Sequence, residues 1–287
     1  MKFGVIYPTT EAAGAPDLIR RFIEGAEALG FDYVTHFDHV LKVSHAEREP
    51  PLTGPFTERN TFDDPFVFFG FAAALSTKLE FATGVLILPQ RQTALVAQQA
   101  ADVDLLSRQR LRLGVGSGWN HIEYLGLGQD FHTRGRRLDE QIGLLRELWT
   151  SPLVEFEGVF DRIDRACINP RPERQIPIWV GGHVEAAFRR GARLGDGFIF
   201  AGNRASALAE LARVRHHLTE AGRAEQGFGK ELLAHGGNRH DIGDTLKAWA
   251  DAGGTHACTT SMNLGFGGNV DAHLEYAAQI REAAGAI

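Results

Sequence analysis

Cysteine is nearly missing from this 287-residue chain, where Cys167 and Cys258 stand far apart. A chain this long can bury a large core without a covalent staple, and so few thiols fit a reducing compartment. No thiols are paired at a redox or zinc spacing. Apolar runs of about 18 residues, the length a membrane helix needs, are also lacking. A strand pattern begins almost at Met1, which leaves no place for a secretory leader. The expectation is a soluble cytoplasmic protein. Neither sign of charge dominates: 30 basic and 36 acidic residues are intermixed, for a net charge of -6. That balance argues against nucleic acid or an anionic membrane as partner. Walker and Gly-x-Ser-x-Gly motifs are absent, and Gly114-x-Gly-x-Gly118 lacks the spacing of a dinucleotide fingerprint.

Glycine and apolar residues are plentiful, with 33 glycines and 44% hydrophobic content. Their arrangement alternates between two periods. Apolar strands are predicted at 2–7, 33–37, 79–88, 110–116, 176–182, 196–200, 231–236 and 255–260. Helical spacing follows each of them: Leu18, Phe22, Ala26 and Leu29 share one stripe closed by Gly30, and Leu138, Ile142, Leu145 and Trp149 share another. Eight such units predict a (β/α)8 TIM barrel, occupying 1–287 as one domain. Two insertions interrupt the pattern. The proline- and charge-rich stretch Asp38–Asp63 is long for a connection, and Val154–Ile163 alternates around Gly158 as a small hairpin.

In such a barrel the working groups belong at the carboxyl ends of the strands. The fourth strand ends in Gly114, Gly116 and Gly118, where bare backbone lets a ligand come close. His36, Asp38 and His39 end the second strand, and a histidine beside a carboxylate can move a proton near neutral pH. A metal site on His36-x-x-His39 needs further ligands, yet the eighth strand ends in Thr259, Thr260 and Ser261. Thr83-Gly84 places a glycine inside an apolar strand, a mark of a bulge or a close contact. Gly181-Gly182-His183 runs into a helix start, where free N–H groups suit a phosphate, and Gly202-Asn203 could add donors beside it. The basic cluster Arg134, Arg136 and Arg137 reads as a solvated helix start.

Four stretches together resemble the luciferase-like monooxygenase superfamily, in its branch that uses the deazaflavin coenzyme F420. They are Phe37-Asp-His-Val40, Thr83-Gly-Val-Leu-Ile-Leu-Pro-Gln-Arg91, Gly114-Val-Gly-Ser-Gly-Trp-Asn120 with Glu123, and Ile176-Pro-Ile-Trp-Val-Gly-Gly182. The resemblance implies a flavin-type cofactor at the barrel mouth. It implies a catalytic pair of His39, which handles the proton, and Asp38, which orients it and touches the cofactor. It also implies a non-proline cis peptide at Gly84–Val85 behind the ring, and a phosphate held by Gly181 and Gly182. Together with the strand-end residues above, the expected cofactor-binding set is Asp38, Thr83, Gly84, Val85, Gly116, Ser117, Gly118, Asn120, Gly181, Gly182, His183, Gly202 and Asn203, with no metal. Two positions depart from the sugar-phosphate dehydrogenases of that branch: Val43 stands where they have tryptophan, and Trp119 where they have glutamate.

The expected function is hydride transfer between coenzyme F420 and a small organic substrate, with 42–61 and 120–133 forming the lid. The alternatives are an FMN-dependent two-component monooxygenase of the same fold, a metal-dependent barrel hydrolase, and a non-catalytic deazaflavin carrier. The resemblance further suggests a homodimer, with the apolar 66–74 helix as a candidate interface.

Overall fold

A computed structural model describes residues 1–235 and 238–285. Its centre is a closed barrel of parallel strands. We number these strands β1 (Lys2–Ile6), β2 (Tyr33–His36), β3 (Glu80–Thr83, resuming at Leu86–Ile87), β4 (Leu111–Gly116), β5 (Ile178–Gly181), β6 (Gly197–Gly202), β7 (Gly229–Ala234) and β8 (His256–Thr259). Each pairs in parallel with its neighbours; β1 joins β8, and β3 joins β4 with Phe81 opposite Leu111. The eight-fold alternation expected from the apolar periods is therefore present. For β7, the expected strand end at Gly236 lies outside the described residues.

Helices pack around the outside because one face of each is apolar. In Glu185–Leu194, for example, Ala187, Phe188 and Ala192 are buried while Arg189 and Arg193 are exposed. The helix Pro65–Ala73 starts where Pro65 fixes the first turn and Asp64 caps it, its side chain accepting from the Phe66 and Val67 amides at 2.9 and 3.2 Å. The hairpin insertion is present as Val154–Glu157 paired antiparallel with Arg162–Ala166.

The barrel has two cores. One lies between strands and helices; a second, inside the ring, includes Ile6, Tyr33, Trp179 and Leu233. Arg112 crosses that interior, stacked 4.0 Å from the Trp179 ring and paired with Glu231. Burial lowers the guanidinium's affinity for its proton, but Glu231 outweighs that effect and keeps it charged. Removing one member of such a pair leaves a lone buried charge, at a cost of about 3–5 kcal/mol. Filled in this way, the barrel interior carries no channel, and the site is left to the carboxyl rims.

Candidate active site

A cleft of about 430 Å³ opens at the carboxyl ends of the strands. Its walls bring together most of the residues singled out in the sequence: Asp38, His39, Gly84, Val85, Gly116, Ser117, Gly118, Gly181, Gly182 and His183. These come from β2, β3, β4 and β5, which are separated by tens of residues in the chain. Only closure of the barrel makes them neighbours.

β3 breaks between its two parts, and the Gly84–Val85 peptide there is cis. The resulting bulge pushes Val85 across the barrel mouth. A Cβ on Gly116 would lie 2.6 Å from Val85 Cγ2, and one on Gly181 would lie 2.8 Å from Val85 Cγ1. Gly84 itself has Thr35 Cγ2 where its Cβ would be, at 2.5 Å. The glycines at these rims are thus fixed by the bulge as well as by any ligand, which corrects the simpler view that they only leave room for one. Gly182, at φ 146°, adopts a backbone that side-chain-bearing residues rarely take.

His39 is one of the titratable groups lining this cleft, and its partner is not the expected one. His39 Nδ1 lies 3.0 Å from Glu123 Oε2, while Glu123 Oε1 accepts from the Val40 and Leu41 amides at 2.7 and 3.1 Å. Burial pushes the Glu123 carboxyl up, but the His39 ring and the two amides outweigh it and hold the carboxyl below its ordinary range. An ionised carboxylate can only accept, so the Nδ1 proton sits between them and Nε2 is left for the cleft.

Asp38 does not orient His39. Its carboxylate accepts from the Ile87 amide at 3.0 Å and from Arg91 Nη2 at 2.7 Å, and Arg91 also reaches Asp64 at 3.0 Å. Burial works against the Arg91 charge, but the two aspartates more than restore it. Asp38 therefore fastens β2 to the far side of the β3 bulge. The correction has a physical cause: the adjacent side chains of Asp38 and His39 leave the strand end in different directions, one into the rim and one over the cleft.

Three further residues shape the cleft beyond the roles the sequence suggests. Glu123 sits in a short helix, His121–Gly126, within the expected lid segment 120–133. A signal was available, since Asn120 precedes it at cap position and its side chain accepts from the Glu123 amide at 3.2 Å. Trp119 lines the cleft, and its indole fills the space over Gly54, where a Cβ would come within 2.1 Å. Arg134, read as solvated, also lines the cleft; its guanidinium lies 3.7 Å over the Phe131 ring and donates to the Phe131 carbonyl at 2.8 Å.

Other expected residues fall outside the cleft. Thr83 is buried and donates to the Gly114 carbonyl at 2.6 Å, and Asn120 is spent on its helix cap. Gly202 and Asn203 line a separate depression with His235 and Asp241, and Asn203 caps the helix Arg204–Glu220. His36 is wholly buried, its ring 4.5 Å from Phe68, and burial lowers its pKa to about 4. It does not share the cleft with His39, and among the described residues no three His, Cys, Asp or Glu side chains are grouped to hold a metal.

Comparison with known proteins decides the family. The luciferase-like monooxygenase profile matches residues 1–266. The chain belongs to that family. An uncharacterized Mycobacterium tuberculosis protein is 37% identical over 205 residues, covering 70% of this chain and 71% of that protein. An F420-dependent glucose-6-phosphate dehydrogenase of Nakamurella multipartita is 31% identical over 229 residues, covering 78% of this chain and 63% of its own length. Among solved structures, an F420-dependent secondary alcohol dehydrogenase bound to an F420–acetone adduct superposes with TM-score 0.79 at 16% identity, covering 99% of this chain and 98% of that one. A monooxygenase from Streptomyces bottropensis superposes with TM-score 0.78 at 19% identity over the full length of both chains. These two likenesses establish the luciferase-like barrel fold.

Proposed function

We propose that this chain is a coenzyme F420-dependent oxidoreductase acting on a small organic substrate, with residues 1–287 working as one domain. The observation that carries the reading is the His39–Glu123 pair on the same cleft as the bulge and the bare rims. The F420-dependent relative at 31% identity supports it.

The donor set fits such a cofactor. Val85 stands across the barrel mouth as a support for a flat ring, and the backbone of Gly181 and Gly182 suits a phosphate. The helix Glu185–Leu194 that follows has no side-chain cap, so its first N–H groups are free beside that backbone. Arg134, which lines the cleft, adds the cation that an anionic tail requires, and Gly202 and Asn203 lie apart from it in their own depression. Bound there, the deazaflavin supplies a carbon that gives or takes a hydride.

The protein supplies the proton. Glu123 fixes the His39 ring through Nδ1, and Nε2 gives a proton to, or takes one from, the substrate oxygen. The carboxylate behind it holds the ring in place while that proton moves. Asp38 and Arg91 hold the bulge in register with β2. The loop 42–61 closes over Trp119 and limits the entry of water.

Two further expectations belong to this reading, namely a cytoplasmic location and a homodimer. On the helix Pro65–Ala73, Val67 is 72% exposed and Phe71 37%, near Leu95 at 53% on the neighbouring helix, which is an apolar face suited to a second copy. The function is tested by turnover with reduced and oxidised coenzyme F420, in parallel with oxygen uptake in the presence of reduced FMN. Turnover with F420 and no FMN-driven oxygen uptake is expected; the reverse pattern would transfer the site to the monooxygenase alternative.

A further inference from the structure

Next to His39 the cleft is walled by Phe37, Phe56 and Trp119, with Phe62 packed against Phe56. The Phe56 ring lies 5.3 Å from the His39 ring, Phe62 5.1 Å and Trp119 5.9 Å, and Phe56 and Phe62 meet edge to face at 5.0 Å. Phe37 adds a further wall, 6.3 Å from Phe56. These rings come from β2, from the long loop after it and from the β4 rim, so the chamber forms only when that loop is folded down.

The charged side chains nearest His39 are committed elsewhere. Glu123 is fully buried, and its oxygens are taken by His39 and two amides. The Asp38 carboxylate is held by Arg91 and Ile87. Lys42 sits outside with Nζ 5.7 Å from the Phe62 ring, donating to the Val40 and Phe62 carbonyls at 3.3 and 3.4 Å. Arg134 is engaged with the Phe131 ring and carbonyl. A phosphate or carboxylate placed against His39 would therefore lose its water and face the Glu123 charge, while Arg134 is left to the cofactor's anionic tail. An unpaired buried anion is strongly disfavoured. A flat neutral molecule loses little, because aromatic walls offer offset or edge contacts worth roughly 0.5–1.5 kcal/mol each beyond area burial.

We propose that the chamber selects a flat, uncharged, apolar carbonyl compound or its alcohol, with one oxygen directed at His39 Nε2, and rejects phosphorylated and carboxylated substrates. This rests on the oxidoreductase reading for its chemistry but not for its binding preference. The departure at Trp119 then has a use: it replaces an acid with a wall.

Calorimetry on the cofactor-free Gly182→Val chain, in which the phosphate rim is blocked, with acetophenone, 1-phenylethanol, benzoate and glucose 6-phosphate tests the preference directly. Acetophenone or 1-phenylethanol should bind at least tenfold tighter than either anion, and Phe56→Ala and Trp119→Ala should each weaken that binding at least fivefold. In the F420-loaded enzyme the same two substitutions should raise KM for 1-phenylethanol while leaving the cofactor Kd within twofold. Equal or tighter binding of glucose 6-phosphate or benzoate would overturn the proposal, as would unchanged acetophenone binding in both variants. Because calorimetry needs no cofactor, a failure of F420 to bind would count against the proposed function and not against the chamber.

Discussion

His39 and Glu123 stand 84 positions apart in the chain, yet share a hydrogen bond of 3.0 Å at the mouth of the barrel. Glu123 is the residue that sets which nitrogen of the histidine faces the cleft. Replacing it by glutamine keeps the shape and exchanges an ionised acceptor for a neutral amide that no longer fixes which ring nitrogen carries the proton. Glu123→Gln is expected to lower kcat ten- to a hundredfold, with the cofactor Kd unchanged. His39→Ala removes the proton carrier itself, a loss of about 10²–10⁴-fold for general acid–base catalysis. Steady-state kinetics across pH, beside a cofactor titration, checks both.

The same carboxylate ties the chain after β2 to the rim. Held below its ordinary value of 4.5, Glu123 contributes stability that is fully present above that pH and is lost as pH falls through its depressed folded value. Glu123→Ala leaves the Val40 and Leu41 amides without that acceptor, whereas Glu123→Gln keeps an oxygen in place for them. Thermal melts at neutral pH should therefore show Glu123→Ala less stable than Glu123→Gln.

His36 makes a separate contribution to acid sensitivity. Buried and neutral, it has its pKa lowered from 6.5 to about 4. The unfolded chain thus binds more protons than the folded one between those values, and stability falls as pH drops from about 6.5 towards 4. At 1.36 kcal/mol per unit the loss is on the order of 3 kcal/mol. Denaturant unfolding of a His36→Phe variant should show a flatter dependence on pH across that window than the parent.

Much of the fold could be read from periodicity. The helix Glu185–Leu194 coincides with its apolar spacing, and β1 to β8 fall where alternating or continuous apolar runs end in turn residues. The cis peptide at Gly84–Val85 stands where the family resemblance put it. The hydrogen-bond partners of Asp38 and His39 could not be read. Adjacent residues of like chemistry look like a pair in one dimension, whereas their partners Arg91 and Glu123 are chosen by how the third and fourth strand ends close on the second. Trp119 and Phe56 were hidden for the same reason, since a chamber made by a long loop folding back has no period to reveal it.

The β3 bulge and its glycines form a coupled unit. Gly116→Ala puts a Cβ against Val85, and Val85→Ala should relieve it. The single Gly116→Ala change is expected to cost about 1–3 kcal/mol as overpacking. Combined with Val85→Ala it should cost less than the sum of the two single changes, as residues in contact do. Unfolding free energies of the four proteins give that coupling.

The central claim is that the cleft above Val85 is a deazaflavin site. Titrating the protein with oxidised coenzyme F420 and following the cofactor's fluorescence measures it most directly. Saturable binding in the micromolar range or tighter, at one cofactor per chain and weakened at least tenfold by Gly182→Val, is the predicted result. No saturable binding of F420, with FMN binding saturably in the same assay, would contradict the claim.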